Sequence, residues 1–131
     1  MYILDTNAVS ALMKGSTAVV ERLAATAPAD VALPQPVLAE ISFGIERLPR
    51  SKRRAALQAR FDLISAELPR AEWTDAVSQM FGRIKATLER RGTRIEDFDA
   101  AIAAHALALD ATLVTANVDH MIRVPGLRVE D

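Results

Sequence analysis

Three acidic residues that lie far apart in the sequence each stand in a local context that is unusual for a surface side chain. Asp5 follows the apolar run 2–4, where a short buried strand should pass directly into a helix. Glu40 lies on the flank of an apolar helical stripe, and Asp99 lies in the first turn of an alanine-rich helix. Because carboxylate oxygens bind hard cations well, the three residues together predict a metal site.

Each acid also has a simpler structural interpretation. Asp5 could cap the helix that follows it, and Asp99 could cap a helix and complement its dipole. Glu40 could form an ion pair with Arg47 or Lys52. The metal-site hypothesis therefore depends on the three acids taken together, because each one alone is compatible with capping or ion pairing.

Composition limits the class of protein. The chain has 131 residues, of which 50% are hydrophobic, and this predicts one domain, residues 1–131, with a substantial buried core. It contains no cysteine, which excludes disulfides, zinc–thiolate sites and thiol nucleophiles. It shows neither a secretory signal at its start nor an apolar window long enough to span a membrane. These features predict a soluble, cytoplasmic protein with no membrane partner.

The net charge of −1 conceals two basic segments. They form either solvated helix faces or two basic rims that guide a phosphate backbone toward an acidic centre. The first segment contains Arg47, Arg50, Lys52, Arg53, Arg54 and Arg60, and the second contains Arg83, Lys85, Arg90, Arg91 and Arg94.

Apolar runs alternate with amphipathic stretches, and this order predicts an α/β domain with a mainly parallel sheet of about four to five short strands flanked by helices. The predicted strands are 2–4, 31–33, 67–68, 112–115 and 127–129. Helices are predicted up to Gly15, from Ser16 to Pro28, from Pro36 to Pro49, from Ser51 to about Ser65, from Trp73 to Gly92 and from about Phe98 to Leu109. In the second helix Val19, Val20 and Leu23 should face the core. The apolar stripe from Trp73 to Leu88 should pack in the core, with a partner surface as the alternative.

The predicted topology brings the acidic residues together. Asp5 lies at the carboxyl end of the first strand, and Asn117 and Asp119 lie just beyond the strand that ends at Thr115. Open α/β sheets bind their ligands in the crevice at this edge. Glu40 should emerge at the boundary between its helix and the sheet, so that its carboxylate points toward the same crevice.

Four motifs occur along the chain in a distinctive order and spacing. They are Leu4-Asp5-Thr6-Asn7-Ala8-Val9-Ser10, Glu40-Ile41-Ser42-Phe43-Gly44-Ile45, Asp99-Ala100-Ala101-Ile102-Ala103-Ala104-His105-Ala106 and Leu113-Val114-Thr115-Ala116-Asn117. In these motifs the chain resembles the PIN-domain ribonucleases, specifically the VapC toxins. The resemblance runs nearly end to end and continues through residues 123–131.

This resemblance implies a PIN-like fold and a metal-dependent endoribonuclease that is the toxin half of a type II toxin–antitoxin pair. Asp5, Glu40 and Asp99 would be its catalytic acids and would bind Mg²⁺ or Mn²⁺, which relieves the repulsion between clustered carboxylates. PIN domains often carry a fourth acid at or shortly after the position of Asn117. Here Asp119 is the favoured candidate for that role, with Asn117 itself and the adjacent histidine, His120, as alternatives.

The resemblance also assigns Thr6, Asn7 and Thr115 to orienting the carboxylates and their waters, which their hydroxyl and amide groups can do. Helix capping or hydrogen bonding at strand ends is the alternative role for these residues. His105 lies mid-helix among alanines and should be a packing or hydrogen-bonding residue, whereas His120, in a predicted loop, is the histidine better placed to contact substrate.

The expected partners follow from the same resemblance. They are a cognate VapB-type antitoxin whose C-terminal segment crosses the acidic groove, an RNA substrate such as tRNA or a ribosomal RNA loop, and a second copy of the chain in a homodimer. A phosphatase of the haloacid dehalogenase type is disfavoured because Asn7 stands where that class needs an acid. A receiver domain is disfavoured because the chain lacks an early acidic pair and a late lysine. The remaining alternative is a catalytically silent PIN-like module that binds RNA or protein.

Overall fold

An all-parallel sheet of five short strands forms the centre of the molecule, in a computed structural model that describes residues 1–131. The strands are β1 (Tyr2–Leu4), β2 (Val31–Pro34), β3 (Arg70–Ala71), β4 (Thr112–Val114) and β5 (Arg128–Glu130). Their order across the sheet is β3-β2-β1-β4-β5, and every neighbouring pair is parallel. The predicted α/β class and parallel sheet are therefore confirmed, and β1 occupies the central position.

Seven α-helices connect and cover the strands. They are α1 (Thr6–Met13), α2 (Thr17–Ala24), α3 (Gln35–Glu46), α4 (Lys52–Glu67), α5 (Asp75–Arg90), α6 (Asp97–Ala108) and α7 (Val118–Met121), with one 3-10 turn at Pro28–Asp30. None of these helices is both long and apolar enough to cross a membrane. Connections between parallel strands require such crossovers, which explains the alternation of apolar runs and amphipathic stretches.

One continuous core lies on the central strands. Ile3 of β1 pairs in register with Ala32 of β2 and Leu113 of β4, and all three side chains are buried. Helix α6 carries alanines at Ala103 and Ala104 that are fully buried, and it contacts α5, α3, β1 and β4. Small side chains permit this close approach, so α6 can sit against the sheet and bring its first turn to the edge of β1.

The stripe on α5 is part of this core. Thr74 caps the helix, since its hydroxyl accepts a hydrogen bond from the N–H of Val77 at 3.3 Å. Val77, Ile84 and Leu88 are buried against the rest of the protein. The core-packing interpretation is therefore confirmed for these three residues and is wrong for Trp73 at the start of the stripe, which is 44% exposed. The homodimer stays a prediction.

Three predictions about local structure were wrong. The third strand is β3 at Arg70–Ala71 and not at 67–68, because α4 continues to Glu67 and the carbonyl of Pro69 accepts the N–H of Leu33 at 2.9 Å. Leu68 is buried as an apolar contact rather than as a strand residue. Val20 does not face the core, since it is 43% exposed. Helix α7 was not anticipated, because four residues are too few to show a helical period.

Truncation of a buried side chain on β4, the neighbour of the central strand β1, should destabilise the protein. Leu113 is 0% exposed in β4, so Leu113→Ala should lower the free energy of unfolding by about 2–5 kcal/mol through lost apolar contact and a residual cavity. Leu63→Ala on α4 is the matched control, because Leu63 is 67% exposed and its loss should cost less than about 0.5 kcal/mol. Urea unfolding monitored by circular dichroism measures both, and equal losses would contradict the assigned core.

Candidate active site

Asp5 is a buried carboxylate at the junction between β1 and α1. Its backbone is extended, with φ −82° and ψ 177°, and its N–H donates to the carbonyl of Val114 at 3.1 Å, which continues the sheet. Its Oδ1 accepts the N–H of Ala8 at 2.8 Å, so Asp5 is the N-cap of α1. The side chain is only 4% exposed. The capping interpretation is therefore correct for Asp5, and it holds together with an unusual burial of charge.

The environment of Asp5 shifts its pKa. Burial is the largest cause and raises the pKa above the ordinary value of 3.8, while Thr115 and the N–H groups of Ala8 and Asn7 act in the opposite direction. Thr115 lies at the end of β4, is 1% exposed, and its hydroxyl also accepts the N–H of Asn117 at 2.9 Å. Thr115 thus connects the carboxylate of Asp5 to the start of α7.

Glu40 is held in place by a threonine from a different element. The hydroxyl of Thr6, the first residue of α1, donates to Oε1 of Glu40 on α3 at 2.6 Å. The alternative ion pair of Glu40 with Arg47 or Lys52 is wrong, because neither pair forms. The hydrogen bond holds Glu40 next to Thr6, the residue that follows Asp5, and the orienting role of Thr6 in the site stays a prediction.

Asp99 faces the other two acids from the first turn of α6. It is partly buried, and this burial is the main cause that raises its pKa above 3.8. The negative charges of Glu40 and Asp5 raise its pKa further, and the nearby His120 lowers it. Asp5 and Glu40, which are both distant from Asp99 in the sequence, therefore act electrostatically on Asp99 in the folded protein.

The chemistry of this donor set fits a hard divalent cation. Two of the three carboxylates have a raised pKa, and mutual repulsion contributes to that of Asp99, so a bound cation would relieve an existing penalty. As the side chains are placed, no three acidic or histidine residues stand close enough together to enclose an ion. The site has the charge that a cation needs, and its carboxylates would have to close around the ion.

The residues around the predicted fourth acid lie on α7. Asn117 is the N-cap residue of this helix, and Asp119 and His120 are both exposed on it rather than in a loop. Of these residues, His120 is the one whose charge acts on Asp99. Asn7 has an exposed side chain, although its backbone N–H acts to lower the pKa of Asp5. The assignment of Asp119 as the fourth acid stays a prediction.

His105 packs inside the protein, as its alanine-rich surroundings predicted. It is 0% exposed, and its Nδ1 lies 2.8 Å from the carbonyl oxygen of Ala101. The ring of Trp73 meets it edge to face with 5.4 Å between centroids. Burial lowers the pKa of His105, which keeps the ring neutral at pH 7.

A groove of about 790 Å³ opens beside Glu40, which is the one of the three acids that lines it. Thr6 and Glu40 line one part of it, and Phe43, Phe98 and Arg47 also contribute to its walls. Neither phenylalanine was predicted from the sequence to be a site residue. A signal was present for Phe43, which lies off the buried stripe of α3 and so has no core position to fill.

Comparisons with known proteins match this architecture over nearly the whole chain. The family model of the PIN domain matches residues 2–127. The Ribonuclease VapC2 of Rickettsia felis is 32% identical over 100% of this chain and 97% of that protein. The tRNA(fMet)-specific endonuclease VapC of Shigella flexneri is 29% identical over 99% of this chain and 96% of that protein. The crystal structure of VapBC2 from Rickettsia felis, bound to a DNA fragment from its promoter, superposes with a TM-score of 0.89 at 30% identity, covering 98% of this chain and 96% of that one.

Replacement of Asp99 should change how stability depends on pH. Its raised pKa means that the native state holds more protons than the unfolded state above pH 3.8, so stability falls as pH rises through this range. In metal-free buffer Asp99→Asn should make this fall shallower, with the largest gain over the native chain near neutral pH. Thermal unfolding followed from pH 4 to pH 7 measures the slope.

The matched control is Asp97→Asn in the same helical turn, where the acid is exposed and pairs with Lys85 at 3.1 Å. This variant loses the same charge near the same helix N-terminus, and it should keep the slope of the native chain. An equal slope in native and Asp99→Asn proteins would contradict the raised pKa of Asp99 in the folded protein.

Proposed function

The chain belongs to the PIN-domain family and is related over its full length to VapC ribonucleases, and on this premise we propose that it is the toxin endoribonuclease of a toxin–antitoxin pair. We propose Asp5, Glu40 and Asp99 as its catalytic, metal-binding acids. The observation that carries the assignment is the placement of Asp5, 4% exposed at the carboxyl end of β1, directly before Thr6, whose hydroxyl donates to Glu40 at 2.6 Å. Mg²⁺ or Mn²⁺ is the proposed cofactor, because hard cations prefer carboxylate oxygens.

The proposed reaction is hydrolysis of an RNA phosphodiester bond. Water attacks phosphorus, the bond from phosphorus to the 3′-oxygen breaks, and the leaving oxygen takes up a proton. A divalent cation, when bound, supplies positive charge that offsets the charge developing on the phosphate. The chain's own groups fix the acids: Thr6 orients Glu40, and Ala8 and Thr115 hold Asp5. Asp119 is the proposed fourth acid, and Asn7 and Asn117 are proposed to contact water or substrate.

Transfer RNA is the proposed substrate class. Two relatives are tRNA(fMet)-specific endonucleases, and the one from Shigella flexneri aligns over 99% of this chain. Loops of folded RNA present unstacked bases and accessible phosphates, which suits a groove open to solvent. The proposed site of action is the cytoplasm, where such RNA is found.

The proposed protein partner is a VapB-type antitoxin, because similar structures are VapBC complexes from Rickettsia felis and Haemophilus influenzae. Its C-terminal segment would lie across the acids, where an arginine could pair with the carboxylates. A homodimer of the toxin within that complex is part of the proposal. Excess antitoxin should abolish RNA cleavage, and unchanged cleavage would contradict the hypothesis that the antitoxin inhibits the site.

RNA cleavage by the purified, antitoxin-free chain tests the function. Total cellular RNA should yield discrete fragments with Mg²⁺ or Mn²⁺ and none with chelator. Asp5→Ala and Asp99→Asn should each lower the cleavage rate at least about 100-fold, since even groups that only support metal ligands contribute up to that factor. Asp97→Asn should retain the rate of the native chain, because this exposed acid pairs with Lys85. Folded native protein that cleaves nothing would favour the silent binding module.

The hydrogen bond from Thr6 to Glu40 gives a sharper test of the site. Thr6→Val keeps the shape of the side chain but removes the donor, so the cleavage rate should fall about 10–100-fold. Thr6→Ser keeps the hydroxyl and should restore most of the rate. Single-turnover cleavage of an end-labelled tRNA measures both variants, and equal rates in Thr6→Val and native protein would remove Thr6 from the mechanism.

A further inference from the structure

The groove beside the acids exposes two large aromatic side chains. Phe43 on α3 is 67% exposed, and Phe98 on α6 is 47% exposed. Most large apolar residues of this chain are buried or half-buried, so two exposed rings on one groove form a local exception. Phe98 lines the groove together with Glu40, one of the proposed catalytic acids.

The rim of the groove is basic. Lys14, Arg47 and Arg53 line it, and all three are exposed. The guanidinium carbon of Arg47 lies 5.7 Å from the centre of the Phe43 ring, which is a cation–π arrangement. Arg54 and Arg60, from the same basic segment, instead bind protein groups: Arg54 binds Glu46, and Arg60 donates to the carbonyl of Met13. In this basic segment Arg54 and Arg60 therefore stabilise the fold, whereas Arg47 and Arg53 are exposed on the rim of the groove.

The course of the groove connects these groups to the acids. It begins at Thr6 and Glu40, follows α1 and α3, and reaches Arg53 and Leu57 on α4. The eight residues of α1 span about 12 Å at a rise of 1.5 Å per residue. A strand whose scissile phosphate lies at the acids can therefore continue along this groove, past both aromatic rings and the cationic rim.

We propose that this groove is a subsite for single-stranded RNA, in which bases stack on Phe43 and Phe98 while phosphates lie against Lys14, Arg47 and Arg53. Aromatic faces combined with cations are the features that bind single strands without strict sequence preference. The inference rests on the proposed ribonuclease function and extends it by assigning the residues that position the nucleotides flanking the cleaved bond. Phe43 and Phe98 are positioning residues, because neither ring carries a group that could take part in hydrolysis.

The test is direct binding of a short single-stranded RNA of mixed sequence that carries one 2-aminopurine. Chelator is present throughout, so binding is measured without hydrolysis. Phe43→Leu should weaken binding about 5-fold to 150-fold and remove the fluorescence quenching caused by stacking, because leucine is apolar but has no flat ring. Phe43→Trp should retain both. Leu63→Ala is the matched surface control, since Leu63 is also 67% exposed but does not line the groove.

These measurements test RNA binding in the groove separately from RNA cleavage. RNA binding that is equal in native and Phe43→Leu proteins overturns the subsite. If Phe43→Leu or Phe43→Ala weakens only the binding of antitoxin, the groove is a peptide site and the proposal is likewise overturned. Cleavage failure with binding that still depends on Phe43 counts against the ribonuclease function alone. Under cleavage conditions Phe43→Ala should raise KM and leave kcat nearly unchanged, whereas Arg47→Gln should reduce the salt dependence of binding.

Discussion

The buried carboxylate of Asp5 is the constraint on which the rest of the structure depends. A charge that is 4% exposed is costly unless hydrogen bonds or a cation compensate it. The N–H of Ala8 and the neighbouring Thr115 compensate it in part, yet burial still raises its pKa. This buried charge lies at the carboxyl end of the central strand, where a bound cation would offset its cost.

The other two acids reach this edge through packing. Fully buried alanines such as Ala103 let α6 approach the sheet closely, and this brings Asp99 toward the end of β1. Glu40 is fixed by the hydroxyl of Thr6, which directly follows Asp5 in sequence. One short segment therefore supplies an acid, a helix cap and the group that orients a second acid, so small displacements of α1 would disturb the whole site.

Local chemistry made part of this arrangement predictable from sequence. The junction at Asp5 follows from an apolar run and a capping residue, and the packing of α6 follows from its alanines. The partner of Glu40 was mistaken because Thr6 lies 34 positions away and a single sequence records no such contact. The short helix α7 and the position of β3 could not be predicted, because segments of two to four residues are too short to show a period. The roles of Asp119 and of the groove aromatics could not be predicted, because they depend on which side chains are exposed, and exposure is set only in the assembled fold.

Calorimetric titration of Mn²⁺ into the metal-free chain tests most directly whether the three acids form one site. If they do, Asp5→Asn, Glu40→Gln and Asp99→Asn should each abolish the same binding event, because each removes a charge from a shared set of ligands. Asp97→Asn should bind as the native chain does, since that acid is exposed and paired with Lys85. Undiminished binding in any of the three variants would contradict the account.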